Sequence, residues 1–172
     1  MKLSAITFLL LLSTLGATSQ KLKMDVTANG DTILSTKEQK IYTQPGSSKS
    51  VAEMLKVYAF RNSRPGSPLL LSFYIQTGRT SVFTIAPGAS IELTLQNGNT
   101  VKLYTRNGNQ SKRLVSNYGC FIYISYTLPE AEAKLLQASP IRNIRVDASI
   151  GPMDYEIKEK FSKDIGELVG QF

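Results

Sequence analysis

Histidine is missing from all 172 residues. That absence excludes Ser-His-Asp and Cys-His catalysis, zinc sites built on imidazole, and switching by a histidine charge near neutral pH. Cysteine is nearly missing too. Cys120 stands alone, so neither an intrachain disulfide nor a cysteine-rich zinc site can form, and the fold must rest on packing. Phosphate-loop, dinucleotide, EF-hand and nucleophile-elbow motifs are all wanting. After the first twenty residues no apolar run approaches the roughly 18 residues of a membrane helix. Carboxylates are scarce in the middle of the chain. Between residues 54 and 129, Glu92 alone faces eight lysines and arginines, a net charge of +7, whereas residues 20–53 carry +1 and residues 130–172 carry −2. Catalysis would fall to carboxylates, Tyr, Lys or Ser, and no cofactor is implied.

What is present begins with a targeting pattern. Lys2 precedes the apolar run Ile6 to Leu12, and small residues end in Ala17-Thr18-Ser19. A charged start, a short apolar core and an A-x-S site predict a signal peptide over 1–19, cleaved near Ser19/Gln20, with Ala17 as second choice. No cysteine near the site can take a lipid. Residues 20–172 then form a single β-rich domain, exported to the periplasm or beyond the cell.

The pattern after Gln20 is β with two late helices. Leu22, Met24 and Val26 alternate with polar residues as in a half-buried strand, and Asn29-Gly30-Asp31 turns the chain into Thr32-Ile33-Leu34. Leu69 to Ile75 is apolar on both faces and reads as a central strand. Cys120 sits in the strand-like run Gly119 to Tyr126, which predicts a buried, inert thiol. The sharpest hairpin has Ile91, Leu93 and Leu95 before Asn97-Gly98 and Val101 and Leu103 after. A two-residue loop would set Leu93 opposite Lys102. A three-residue loop, Gln96-Asn97-Gly98, sets Leu93 opposite Val101 and Glu92 opposite Lys102, with Gly98 left-handed; it satisfies the core and the charge pair together. Thr127-Leu128-Pro129-Glu130 reads as a capping box opening a helix at about 129–137. Ile144-Arg145-Val146 and Met153 to Ile157 form a second hairpin around Gly151-Pro152. A closing helix at about 158–169 places Phe161, Ile165, Leu168 and Val169 on one apolar stripe. The fold class expected is mainly β: an antiparallel β-sandwich or partly closed barrel with two short helices.

These pieces together resemble a group of small exported β-rich proteins of Bacteroidota, mostly of unknown function. The resemblance lies in the signal ending before Gln20, in Asn29-Gly30-Asp31-Thr32-Ile33, in the run from Pro87 through Gly88-Ala89-Ser90-Ile91 to Gly98, and in Ile144 to Asp147 leading through Gly151 to the closing helix. It implies an envelope or extracellular address. Asp31-Thr32-Ile33 also looks like an Asp-Thr-apolar O-glycosylation site of such bacteria, with Thr32 as acceptor; a turn beside a strand explains it equally.

Two classes of function remain. One is a non-catalytic binding or structural module that engages anionic partners through a basic loop face. Its candidates are Arg61, Arg64, Arg106, Lys112 and Arg113, all expected in loops. Guanidinium geometry suits phosphate and carboxylate, so anionic glycan, lipopolysaccharide or an acidic protein would fit, and export argues against nucleic acid. The other is a small carboxylate-dependent hydrolase such as a glycosidase, with Glu92, Asp147, Asp154 and Glu156 as its few carboxylates. Beyond these two, an inhibitor of secreted hydrolases is a third class, which the sequence neither supports nor rejects.

Overall fold

The computed structural model describes residues 22–172 apart from 29, 48–49 and 116–117. The expected signal at 1–19 lies outside the described residues. Thirteen strands follow in order: β1 (Lys23–Val26), β2 (Thr32–Ser35), β3 (Gln39–Gln44), β4 (Glu53–Asn62), β5 (Leu69–Thr77), β6 (Thr84–Ile85), β7 (Ser90–Leu95), β8 (Thr100–Tyr104), β9 (Asn109–Gln110), β10 (Lys112–Arg113), β11 (Cys120–Leu128), β12 (Ile141–Val146) and β13 (Met153–Glu156). Helix α1 (Glu130–Ala138) stands between β11 and β12, and α2 (Asp164–Val169) closes the chain.

The strands form two principal antiparallel sheets. A large sheet runs β1-β2-β4-β5-β11-β10, with β3 sharing one edge of the long β4, and curls into a half-barrel. A smaller sheet runs β13-β12-β7-β8. Alternation decides what each face buries. From the large sheet, Leu55, Val57, Ala59, Leu71, Phe73, Ile75, Ile122, Ile124 and Tyr126 point inward. Ile91, Leu93, Val101, Leu103, Ile144, Val146 and Tyr155 meet them from the small sheet, and all are buried in one cluster. Cys120 is buried at the rim of this core, as its strand-like context predicts.

The hairpin register argued from charge and core is the one observed. Leu93 pairs with Val101, Ile91 with Leu103 and Glu92 with Lys102, and Gly98 takes φ +88°. Four expectations are corrected. β1 is exposed along its whole length, with Met24 66% and Val26 69% exposed, because it pairs only with β2 and overhangs the core. The capping box does not form: Thr127 is still in β11, and Pro129 caps α1 without a side-chain hydrogen bond. The closing helix is broken into a 3-10 turn (Glu159–Phe161) and α2. Ser162 bends it, its hydroxyl donating to the Glu159 carbonyl at 2.7 Å while its own carbonyl accepts from the Ile141 amide. Phe161 is therefore only half-buried, whereas Ile165, Leu168 and Val169 are buried. Finally, Arg61 lies within β4, next to its last residue, and Lys112 and Arg113 form β10, so of the five only Arg64 and Arg106 lie in loops. A long strand and an edge pairing, invisible to local turn signals, claim the other three. No helix among the described residues is long and apolar enough to cross a membrane.

Candidate functional site

Two sheets sharing one core present outer faces of opposite character. On the small sheet, register aligns Lys102, Glu92, Arg145 and Asp154 in one row of alternating charge. Lys102 Nζ lies 2.6 Å from Glu92 Oε1, and Arg145 grips both oxygens of Asp154 at 2.7 and 3.0 Å. The hydrogen bond from Arg145 holds the Asp154 carboxyl below the usual carboxylate range. This face neutralises itself.

The outer face of the large sheet is aromatic. Residues that alternate with the core on β4, β5 and β11 put Tyr58, Phe60, Tyr74, Phe121 and Tyr123 outward. Tyr74 is the hub, its ring centroid 4.9 Å from Tyr123 and 5.8 Å from Phe121, and Tyr58 stacks on Phe60 at 5.5 Å. Register continues the Tyr123–Tyr74 row into Lys56 and then Lys40, and sets Lys112 beside Phe121. The Lys56 ammonium sits 5.1 Å from the Tyr74 ring and 2.8 Å from Glu38, whose hydrogen bond raises the Lys56 pKa. Burial, and then Tyr123, raise the Tyr74 phenol.

Beside this platform a groove of about 290 Å³ runs along β11. Arg106, Asn107, Gly108 and Asn109 form one wall. Tyr123, Ser125 and Thr127 form the other, and Pro68 and Leu70 close one end. The loop docks here for local reasons. Asn109 Nδ2 donates to the Tyr123 carbonyl at 2.8 Å, and its Oδ1 accepts from the Gln110 amide. A Cβ on Gly108 would lie 2.6 Å from the Ile85 carbonyl oxygen and from Pro87 Cδ, so only glycine allows this approach. No acidic residue among the described residues lines the groove. Arg106 has no ion pair among the described residues. Thr127 Oγ1 is buried without a partner among the described residues.

The five basic candidates do not form one cluster. Arg64 is ion-paired to Asp31, and the Arg61 guanidinium lies 5.3 Å from the Phe172 ring. Both line a hollow of about 200 Å³ around the turn before β5. Arg106 belongs to the same end of the large sheet, because its groove begins at Pro68 and Leu70. Lys112 and Arg113 sit at the opposite end, against Phe121 and Cys120. Thr32, the candidate acceptor of a glycan, opens β2 half-buried, opposite Val26. Three of the four carboxylates a hydrolase would need are engaged elsewhere. Glu92 and Asp154 belong to the charge ladder, and Asp147 Oδ2 accepts from Ser90 Oγ at 2.5 Å. An open hollow of about 610 Å³ does gather Asp154, Glu156 and Glu159 near Tyr42. Asp154, held down by Arg145, suits an ion pair there rather than a proton donor.

Sequence reasoning singled out the charges, with Tyr58, Phe60 and Tyr104 as their aromatic flanks, and passed over the rings of Tyr74, Phe121 and Tyr123. The signal was available: in three neighbouring strands several of the positions opposite to the core, Tyr58, Phe60, Tyr74, Phe121 and Tyr123, are aromatic instead of polar. No family model, no curated protein and no solved structure matches this chain.

Proposed function

We propose that the chain is an exported, non-catalytic binding module that engages an anionic partner on the outer face of its large sheet, at the Arg106 groove. One observation carries this reading. The small sheet spends its charges on one another, while beside the aromatic platform Arg106 faces a groove with no carboxylate to neutralise it. Rings braced against one another lose little freedom on binding, which is what a recognition surface needs. The charged start, apolar run and small-residue site of residues 1–19 support export.

The test is retention of the mature protein on immobilised polyanions at low and at high salt. Retention should fall steeply with salt, since exposed charges are screened beyond about 8–10 Å at physiological ionic strength. Arg106→Glu should abolish it, and Arg145→Glu on the ladder face should not. Equal retention of wild type and Arg106→Glu would refute the assignment.

A further inference from the structure

We infer that the ligand of this groove is a linear glycan bearing carboxylates, a uronate chain, with one carboxylate on Arg106 and an adjoining sugar ring stacked on Tyr123. The inference rests on the anion-binding reading and adds the chemical class.

Tyr123 carries the first part of the argument. It is 48% exposed, yet its ring is braced by Tyr74 at 4.9 Å and by Phe121 edge-on at 6.3 Å. It is a fixed apolar plate at the mouth of a polar groove. A pyranose ring is complementary to such a plate, because its axial C–H bonds make one face apolar and weakly positive and the face of an aromatic ring is negative. Polyphosphates and acidic peptides have no such face to offer.

The groove carries the second part. Its polar groups are mostly neutral: the Asn107 amide, whose side chain has no partner among the described residues, with Ser125 and Thr127 opposite. Arg106 is the one cation lining it among the described residues. Nucleic acid binding draws on several lysines and arginines that neutralise successive phosphates. One guanidinium among amides and hydroxyls instead matches a repeating unit of one carboxylate and several hydroxyls, with the carboxylate taken bidentately.

The experiment is titration of the mature protein, by calorimetry and by amide chemical shifts, with oligogalacturonate, with a neutral gluco-oligosaccharide of equal length, and with poly-L-glutamate at matched ionic strength. Oligogalacturonate should bind and shift amides of 106–109 and 123–127. The neutral oligosaccharide should bind on the order of tenfold more weakly, the loss of one charge-assisted contact. Arg106→Gln and Tyr123→Ala should each weaken uronate binding by a similar factor. Tyr104→Ala, an equally exposed tyrosine on the small sheet, should not. Asn107→Ala, in the exposed loop, reports on the same groove if Tyr123→Ala perturbs the fold. Poly-L-glutamate binding as tightly as uronate, with Tyr123→Ala without effect, overturns the glycan class and leaves the anion reading standing. Absence of binding to both polyanions at low salt overturns the anion reading itself. Uronate binding indifferent to Arg106, Tyr123 and Asn107 overturns the site.

Discussion

Tyr126 is the most telling single side chain in the core. It is fully buried, its ring meets Phe73 edge-on at 5.9 Å, and its hydroxyl has no partner among the described residues. The ring contributes packing and the oxygen contributes only a desolvation cost. Tyr126→Phe should therefore leave stability unchanged or raise it by up to about 1 kcal/mol in urea unfolding, whereas most core substitutions destabilise. A measured loss would mean that the hydroxyl is satisfied in solution. The apolar stripe of the last twelve residues divides in the same way. Leu168 is 1% exposed, so Leu168→Ala should cost about 2–5 kcal/mol. Phe161 is half-buried with Lys160 Nζ 4.7 Å from its ring centroid, so Phe161→Ala should cost less, about 1–2 kcal/mol. Denaturation midpoints of the two variants rank them directly. The stripe was legible in sequence because Ile165, Leu168 and Val169 recur at helical spacing. The position of Phe161 was not, because Ser162 breaks the helix through a contact with Ile141, more than twenty residues upstream.

At the scale of elements, the β7–β8 hairpin tests how far a turn is written locally. Its three-residue loop leaves Gly98 at φ +88°, where a Cβ would meet nothing in space but would strain the backbone. Gly98→Ala should cost about 1–2 kcal/mol, with the denaturant slope unchanged because the core stays intact. Hairpins of this kind were readable because turn residue, alternation and charge pair lie within fifteen residues and agree. The second hairpin, Ile144 to Val146 against Met153 to Glu156, was readable for the same reason. What was not readable depends on partners distant in sequence. β1 has the alternation of a half-buried strand, yet only the reach of β4 decides that β1 falls beyond the core. Thr127 has the spacing of a capping residue, yet pairing with Leu70 keeps it in β11. The candidate site divides similarly. Arg106 could be named from charge, but the ring row needs the pairing of β4, β5 and β11 before Tyr74 and Tyr123 become neighbours.

At the scale of the whole molecule, composition and burial together set the response to pH. With no histidine, no side chain has an ordinary pKa between about 4.5 and about 8.5, so stability should form a plateau across that range. On the acid side, Asp154 is held below its usual range by its hydrogen bond from Arg145. A depressed carboxylate stabilises the fold above its unfolded pKa, and that contribution disappears as pH falls through the lower folded value. The pair is half-exposed, so its share of the acid limb is small. The alkaline side is steeper. Tyr126 and Tyr155 are buried, and burial pushes both phenols well above the ordinary value of about 10. Between that value and the folded ones, the unfolded chain releases protons that the folded chain retains. The unfolded state then binds fewer protons, so stability falls as pH rises. Lys56 and Lys102, raised by Glu38 and Glu92, act in the same direction. Urea unfolding from acid to alkaline pH should show the plateau, a shallow acid limb and a steep alkaline limb starting near pH 10. The double variant Tyr126→Phe, Tyr155→Phe removes both buried phenols while keeping both rings, and should flatten the alkaline limb without moving the acid one. An alkaline limb of undiminished slope in that variant would assign it to the lysines instead, and a stability maximum confined to a narrow window near neutrality would contradict the plateau.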